Sequence, residues 1–165
     1  MRKFWMFLAL FGGLSLTSLA QESSENEGVT EDELKKYAAM EVKTSEFVES
    51  KTDELRKMIL ENEIFKGGAR YNEIKAAWGD EAKMTEANVT DDEKAAYQAV
   101  QDFQSSLTDV VKEFKTNLIM DEEVLGAGTY NKVLSATKED PALKEKLDQL
   151  ISELKAANKE DGDGQ

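Results

Sequence analysis

Two Tyr-Asn pairs, Tyr71-Asn72 and Tyr130-Asn131, are the residues of this chain best suited to recognising a ligand. Each pair offers a phenol ring that can stack and a carboxamide that both donates and accepts hydrogen bonds. Two such pairs lining one cleft would hold a polar molecule such as a sugar or a peptide. Trp78 could add a stacking platform beside the first pair. The competing assignment is structural. A Tyr packs its ring while its hydroxyl finds a partner, an Asn caps or bonds the turn that opens a helix, and a lone Trp fills core. Turn-plus-helix starts need such residues in any case, which favours the structural assignment for all five.

Other chemistries are thinned out by composition. The 165 residues contain no histidine and no cysteine. Ser-His, Cys-His and His-metal sites are thereby excluded, and the fold must hold without disulfides. The clusters Asp91-Asp92-Glu93 and Asp121-Glu122-Glu123 carry the oxygen ligands a hard cation needs. Consecutive helical residues fan out around the axis, however, and make a poor cage. The first cluster is explained as negative charge at a helix start. The second falls near a helix end, where charge alone does not account for it. Asp161-Gly162-Asp163-Gly164 has the look of a calcium loop with the wrong spacing and no downstream Glu. Asn88-Val89-Thr90 matches a glycosylation sequon, but Thr90 is wanted as a helix cap. We therefore expect no metal, no cofactor and no catalytic residue. A hydrolase using two carboxylates across a cleft is the enzymatic alternative.

The elements that must position these residues are helical. Thr30-Glu31-Asp32-Glu33 and Thr90-Asp91-Asp92-Glu93 are capping boxes, and Asp140-Pro141 offers an N-cap followed by proline in the first turn. After the second box, Ala96, Val100, Phe103, Leu107, Phe114 and Leu118, with Val110, form one apolar stripe. Leu143, Leu147, Leu150 or Ile151, and Leu154 form another. In the first helix Leu34, Tyr37, Met40, Phe47, Leu55 and Met58 share a face that Thr44 and Lys51 interrupt. A shorter helix is expected from about Arg70 into the low eighties.

An offset of 60 relates the two halves. Thr30, Glu33 and Tyr37 match Thr90, Glu93 and Tyr97, and Met58-Ile59-Leu60 matches Leu118-Ile119-Met120. After a one-residue gap in a glycine turn, Tyr71-Asn72-Glu73-Ile74 matches Tyr130-Asn131-Lys132-Val133. Each copy reads as a long capped helix, a glycine turn and a short helix. Two hairpins with one apolar face each should pack on one another. The expected fold is all-α, an up-and-down bundle of four to five helices, with copies at about 30–85 and 90–155.

Thr129-Tyr130-Asn131-Lys132-Val133-Leu134 followed by Asp140-Pro141-Ala142-Leu143 and Leu147 resembles a domain of unknown function found in exported bacterial proteins. The similarity covers roughly Asp91 to Leu154. The stretch before Tyr130 is more glycine-rich than that pattern, and the first copy lacks Asp-Pro. The resemblance implies an exported helical protein and assigns no activity.

Export is also legible at the start of the chain. Arg2 and Lys3 precede an apolar run from Phe4 to Leu16, and Ser18-Leu19-Ala20 has small residues where a signal peptidase reads. The run is shorter than the about 20 residues of a membrane span. Cleavage is expected between Ala20 and Gln21, with 21–29 a disordered leader, 30–158 the bundle and 159–165 a disordered tail. The whole chain carries 34 acidic and 21 basic residues, a net charge of −13. Without Arg2 and Lys3 the basic count is 19 and the net charge −15. Such a surface repels nucleic acid and anionic membranes. The expectation is a periplasmic or secreted, non-catalytic protein that binds another envelope or secreted component such as a protein. The alternative is a carrier of a small apolar or amphipathic ligand, suggested by Met40, Phe47, Met58, Phe103 and Phe114.

Overall fold

The two capping boxes set the frame. In each, the Thr hydroxyl accepts from the N–H three residues on, while that residue's Glu accepts from the Thr N–H: 3.2 and 2.7 Å at Thr30/Glu33, 3.3 and 2.8 Å at Thr90/Glu93. These caps open the two longest helices, α1 (Glu31–Leu60) and α4 (Asp91–Met120), each of 30 residues. Between them lie a 3-10 turn (Glu63–Gly68), α2 (Ala69–Ala77) and α3 (Glu81–Glu86). After α4 come α5 (Ala127–Glu139) and α6 (Pro141–Gly162). The structure is a computed structural model that describes the backbone of residues 28–162 and the side chains up to Asn158. The export segment, its Ala20–Gln21 junction, the leader through residue 27 and the last three residues of the tail lie outside the described residues.

Among the described residues the fold is all-α, a helical bundle as expected, with six α-helices. The additional helix arises where one short helix was expected to continue into the low eighties. Trp78 leaves helical geometry (ψ 130°), Gly79 takes φ +84°, and Asp80 then starts α3 by accepting from the N–H groups of Ala82 and Lys83. Asp140 begins α6 in the same way, accepting from Ala142 and Leu143. Two boundaries also move. Val29 packs on the core beside Leu34, the apolar staple of a capped helix start, so the ordered chain begins before residue 30. At the other end α6 continues to Gly162, beyond Lys159.

The glycine turns carry the backbone constraint. Lys66, Gly67 and Gly68 all have positive φ (48°, 74° and 92°), and a Cβ on Gly68 would lie 2.9 Å from a Leu60 methyl. Only glycine meets both demands at Gly68.

Helices α1 and α4 run antiparallel. Their contacts pass from the Glu41–Lys115 ion pair (2.8 Å) through the Phe47–Phe114 stack (4.0 Å between ring centres) to Lys51 over Phe103. Helix α6 lies parallel to α1, from Lys146 near Glu31 to the hydrogen bond of Asn158 with Glu46 (2.6 Å). The core is divided between the two ends of the α1–α4 pair. One part joins Leu34, Ala38 and Met40 of α1 to Ile119, Val133 and Leu147. The other joins Phe65, Tyr71 and Ile74 to Tyr97 and Val100.

Positions 60 apart, or 59 beyond the glycine turn, take up corresponding places. Tyr130 stacks on Tyr37 (5.5 Å), and Tyr71 sits against Tyr97 (5.3 Å). Glu33 and Glu93 correspond as well, although their cations do not: Lys132 gives Glu33 two hydrogen bonds (2.9 Å each), whereas Glu93 is gripped at 2.6 and 2.9 Å by Arg70, three residues before the counterpart of Lys132. In every one of these pairs the short helix of one half meets the start of the long helix of the other. The halves interlock through their short helices.

Candidate functional site

The five residues singled out from sequence do not meet in one cleft. Tyr71 and Trp78 belong to one end of the molecule, where Trp78 lies 4.4 Å from Tyr97 between ring centres and Tyr71 meets Phe65 edge-on. Tyr130 belongs to the other end. Burial raises the pKa of the Tyr71 hydroxyl. Asn72 and Asn131 stand inside α2 and α5 with exposed side chains, so they neither cap a turn nor point into a shared site. The turns use other residues. Asn62 accepts from the Ile64 N–H at 3.0 Å, and Asp121 accepts from the Glu123 N–H at 2.9 Å. This accounts for Asp121 of the acidic cluster at 121–123: it ends α4, and its backbone carbonyl also gathers the N–H groups of Val124, Leu125 and Gly126.

Arg70 is the most heavily engaged cation. It bonds Glu93 through two nitrogens and also reaches Glu73 and the carbonyls of Ala87 and Asn88. That hydrogen bonding, with Thr90 adding its share, holds the Glu93 carboxyl down at about 2. At the corresponding place burial works to raise Glu33, but the bonds from Thr30 and Lys132 outweigh it and leave the carboxyl below its ordinary value. Both clusters are internally satisfied and pin short helices to long ones. Asn88, with φ +50°, donates to the Glu86 carbonyl.

An open, mostly apolar concavity lies between α4 and α6, with α1 as its floor. Its volume is about 470 Å³, within the range of small-molecule sites. Tyr37, Thr44 and Val48 of α1 line the bottom, with Val111 and Ile119 on the α4 side and Leu147 and Ile151 on the α6 side. Tyr130 reaches it from α5, the one member of the sequence-derived set to do so. From Tyr37 to Val48 the floor runs about 16 Å at the helical rise. Its floor and walls are largely shielded: Tyr37, Val111, Ile119, Leu147 and Tyr130 each keep 5–7% of their surface accessible. Burial, then the neighbouring Glu41 carboxylate and Tyr130, raise the pKa of the Tyr37 hydroxyl, so it is a neutral hydrogen-bonding group there.

The rim is charged in a telling way. Lys112 and Lys115 come from α4 and Lys155 from α6, against Glu41 and Asp148. Lys115 is paired with Glu41 (2.8 Å) and Asp148 with Lys144 (2.6 Å). Among the described residues neither Lys112 nor Lys155 enters an ion pair. Met120, 62% exposed, stands at the opposite end of the slot.

Sequence reading missed this site because no motif marks it. Its one local signal is Thr44, the break in the apolar stripe of α1. The Thr44 hydroxyl donates to the Met40 carbonyl at 2.8 Å, which lets a polar residue face an apolar floor without an unmet bond. Among the described residues no cluster of acidic side chains could hold a metal ion, and no helix is long and apolar enough to cross a membrane. Compared with known proteins, the chain matches no protein-family model, no curated protein and no solved structure.

Proposed function

We propose that this is an exported, non-catalytic binding protein of the cell envelope or the secreted fraction, and that it holds a small ligand in the groove between α4 and α6. The observation that carries the reading is that groove: an apolar slot of about 470 Å³ between α4 and α6, floored by α1. Its apolar walls are mostly buried, and its volume is that of a small-molecule site. This favours a carrier of a small amphipathic molecule over a module that docks a protein. The exposed large apolar side chains point the same way. Leu60 ends α1 and Ile64 lies in the turn after it, Val110 is in the body of α4 and Met120 at its end, so they do not gather into one docking surface.

The non-catalytic reading draws on composition: the chain has no histidine and no cysteine, which removes Ser-His, Cys-His and His-metal chemistry. Export rests on the basic, apolar and small-residue order of residues 2–20. The Tyr130–Leu147 resemblance to an exported helical domain agrees with it.

Titration with an environment-sensitive apolar fluorophore tests the groove. One equivalent should bind, and Ser45→Trp, which places a ring into the slot from α1, should abolish the signal while leaving the helical circular dichroism intact. Binding unaffected by Ser45→Trp would remove the groove from the account. Turnover of a carboxylester or glycoside panel by the protein would contradict the non-catalytic reading.

A further inference from the structure

The groove has a polarity along its length, set by how the three helices run. Helix α4 is antiparallel to α1 and α6 is parallel to it, so Lys112 of α4 and Lys155 of α6 come to the same end of the slot. The Glu41–Lys115 pair lies one turn further in. The other end is closed below by the stacked Tyr37 and Tyr130 rings, whose burial leaves little room for a charged group. Between the ends the walls are aliphatic: Val111 and Ile119 face Leu147 and Ile151.

Charge adds to the case. On a chain with a net charge of −13, two lysines without an acidic partner among the described residues stand on either side of one groove mouth. Both side chains are exposed, and neither anchors the fold. The other rim cation, Lys115, is neutralised by Glu41, and the rim acid Asp148 by Lys144. What is left at the mouth is uncompensated positive charge above an apolar slot. That combination attracts an anion and holds its apolar remainder.

Resting on the groove as the binding site, we propose that its ligand is a single-chain anionic amphiphile. The acidic head lies between Lys112 and Lys155, and the unbranched apolar chain runs along the slot towards Tyr37 and Tyr130. Two positive charges at one mouth select against cationic amphiphiles and give a neutral one no head contact. The volume of the slot, about 470 Å³, suits a single small molecule.

Methyl-resolved NMR titrations with dodecanoate, dodecanol and dodecylammonium, each below its micelle concentration, test this. Dodecanoate should saturably shift the methyls of Val111, Ile119, Leu147 and Ile151. It should bind about tenfold or more tightly than either relative, the worth of one charge-assisted contact. Lys112→Glu with Lys155→Glu should remove that preference; both positions are exposed, so an unchanged spectrum of the free variant checks the fold. Equal binding of all three probes, or indifference of dodecanoate to the double variant, would overturn the anionic ligand and leave the groove as a site. Failure of all three to move those methyls would overturn the groove itself. Response to an acidic amphipathic peptide, with none to dodecanoate, would reassign the slot to a protein partner.

Discussion

Thr44 and Lys51 look like errors in the apolar stripe of α1, and each has a physical reason that only the packed chain reveals. Thr44 turns its hydroxyl back onto the Met40 carbonyl and leaves its methyl to the groove floor. Lys51 lies over the rings of Phe47 (5.7 Å) and Phe103 (6.0 Å), covering aromatic surface with its stem. Glu33 and Glu93 were legible as caps from local spacing alone. Their second role, as anchors for Lys132 and Arg70, was not, because those partners are 99 and 23 residues away. The anchors carry a pH signature. Glu93 titrates at about 2 in the folded protein, against 4.5 ordinarily. A depressed carboxyl stabilises the fold fully above its unfolded pKa, and that share is lost as pH falls from about 4.5 towards 2. Glu93→Gln should therefore lower the melting temperature at pH 7 and flatten its fall between pH 4.5 and 2. A variant that loses stability by the same amount at every pH would show that the carboxylate itself is not what is held.

Among the elements, the contrast between α3 and α6 says most about how function entered the fold. Asp80 and Asp140 start them with the same side-chain cap, yet α3 has 6 residues and α6 has 22. The surfaces beneath explain the difference. Along α1, between its contacts with Lys146 and Asn158, Ala38 and Val42 are buried. Sixty residues on, Gln98 and Asp102 are exposed and hydrogen-bonded to each other at 2.8 Å. Helix α4 is thus finished with a polar face where α1 requires a covering helix. Val42→Asp should cost about 2–4 kcal/mol by burying an unpaired carboxylate, whereas Asp102→Val should change stability by no more than about 0.5 kcal/mol. Chemical denaturation of the two variants checks this, and equal effects would refute the asymmetry. Helix type, the capped starts and the final Asp-Pro helix were all readable from sequence. The break at Trp78-Gly79 was not, because a helix-favouring stretch on either side conceals a single positive φ.

For the molecule as a whole, the offset of 60 was visible in sequence, but its spatial meaning was not. Two Tyr-Asn pairs in matching positions suggested one symmetric cleft. Interlocking of the halves instead sends Tyr71 and Tyr130 to opposite ends, each against a tyrosine of the other half. The groove then comes from what breaks the symmetry. Helix α6 exists at full length in one half only, and the groove is the space it leaves against α4. Composition excludes histidine and cysteine chemistry, and the structure adds the groove between α4 and α6. The account stands or falls on whether that slot is occupied in the protein's own surroundings. Native mass spectrometry of the protein purified from its source, beside Ser45→Trp prepared in the same way, measures this directly. The account predicts a discrete added mass of one small molecule on the unaltered chain and none on the variant. A bare chain in both preparations, or the same added mass on both, would contradict it.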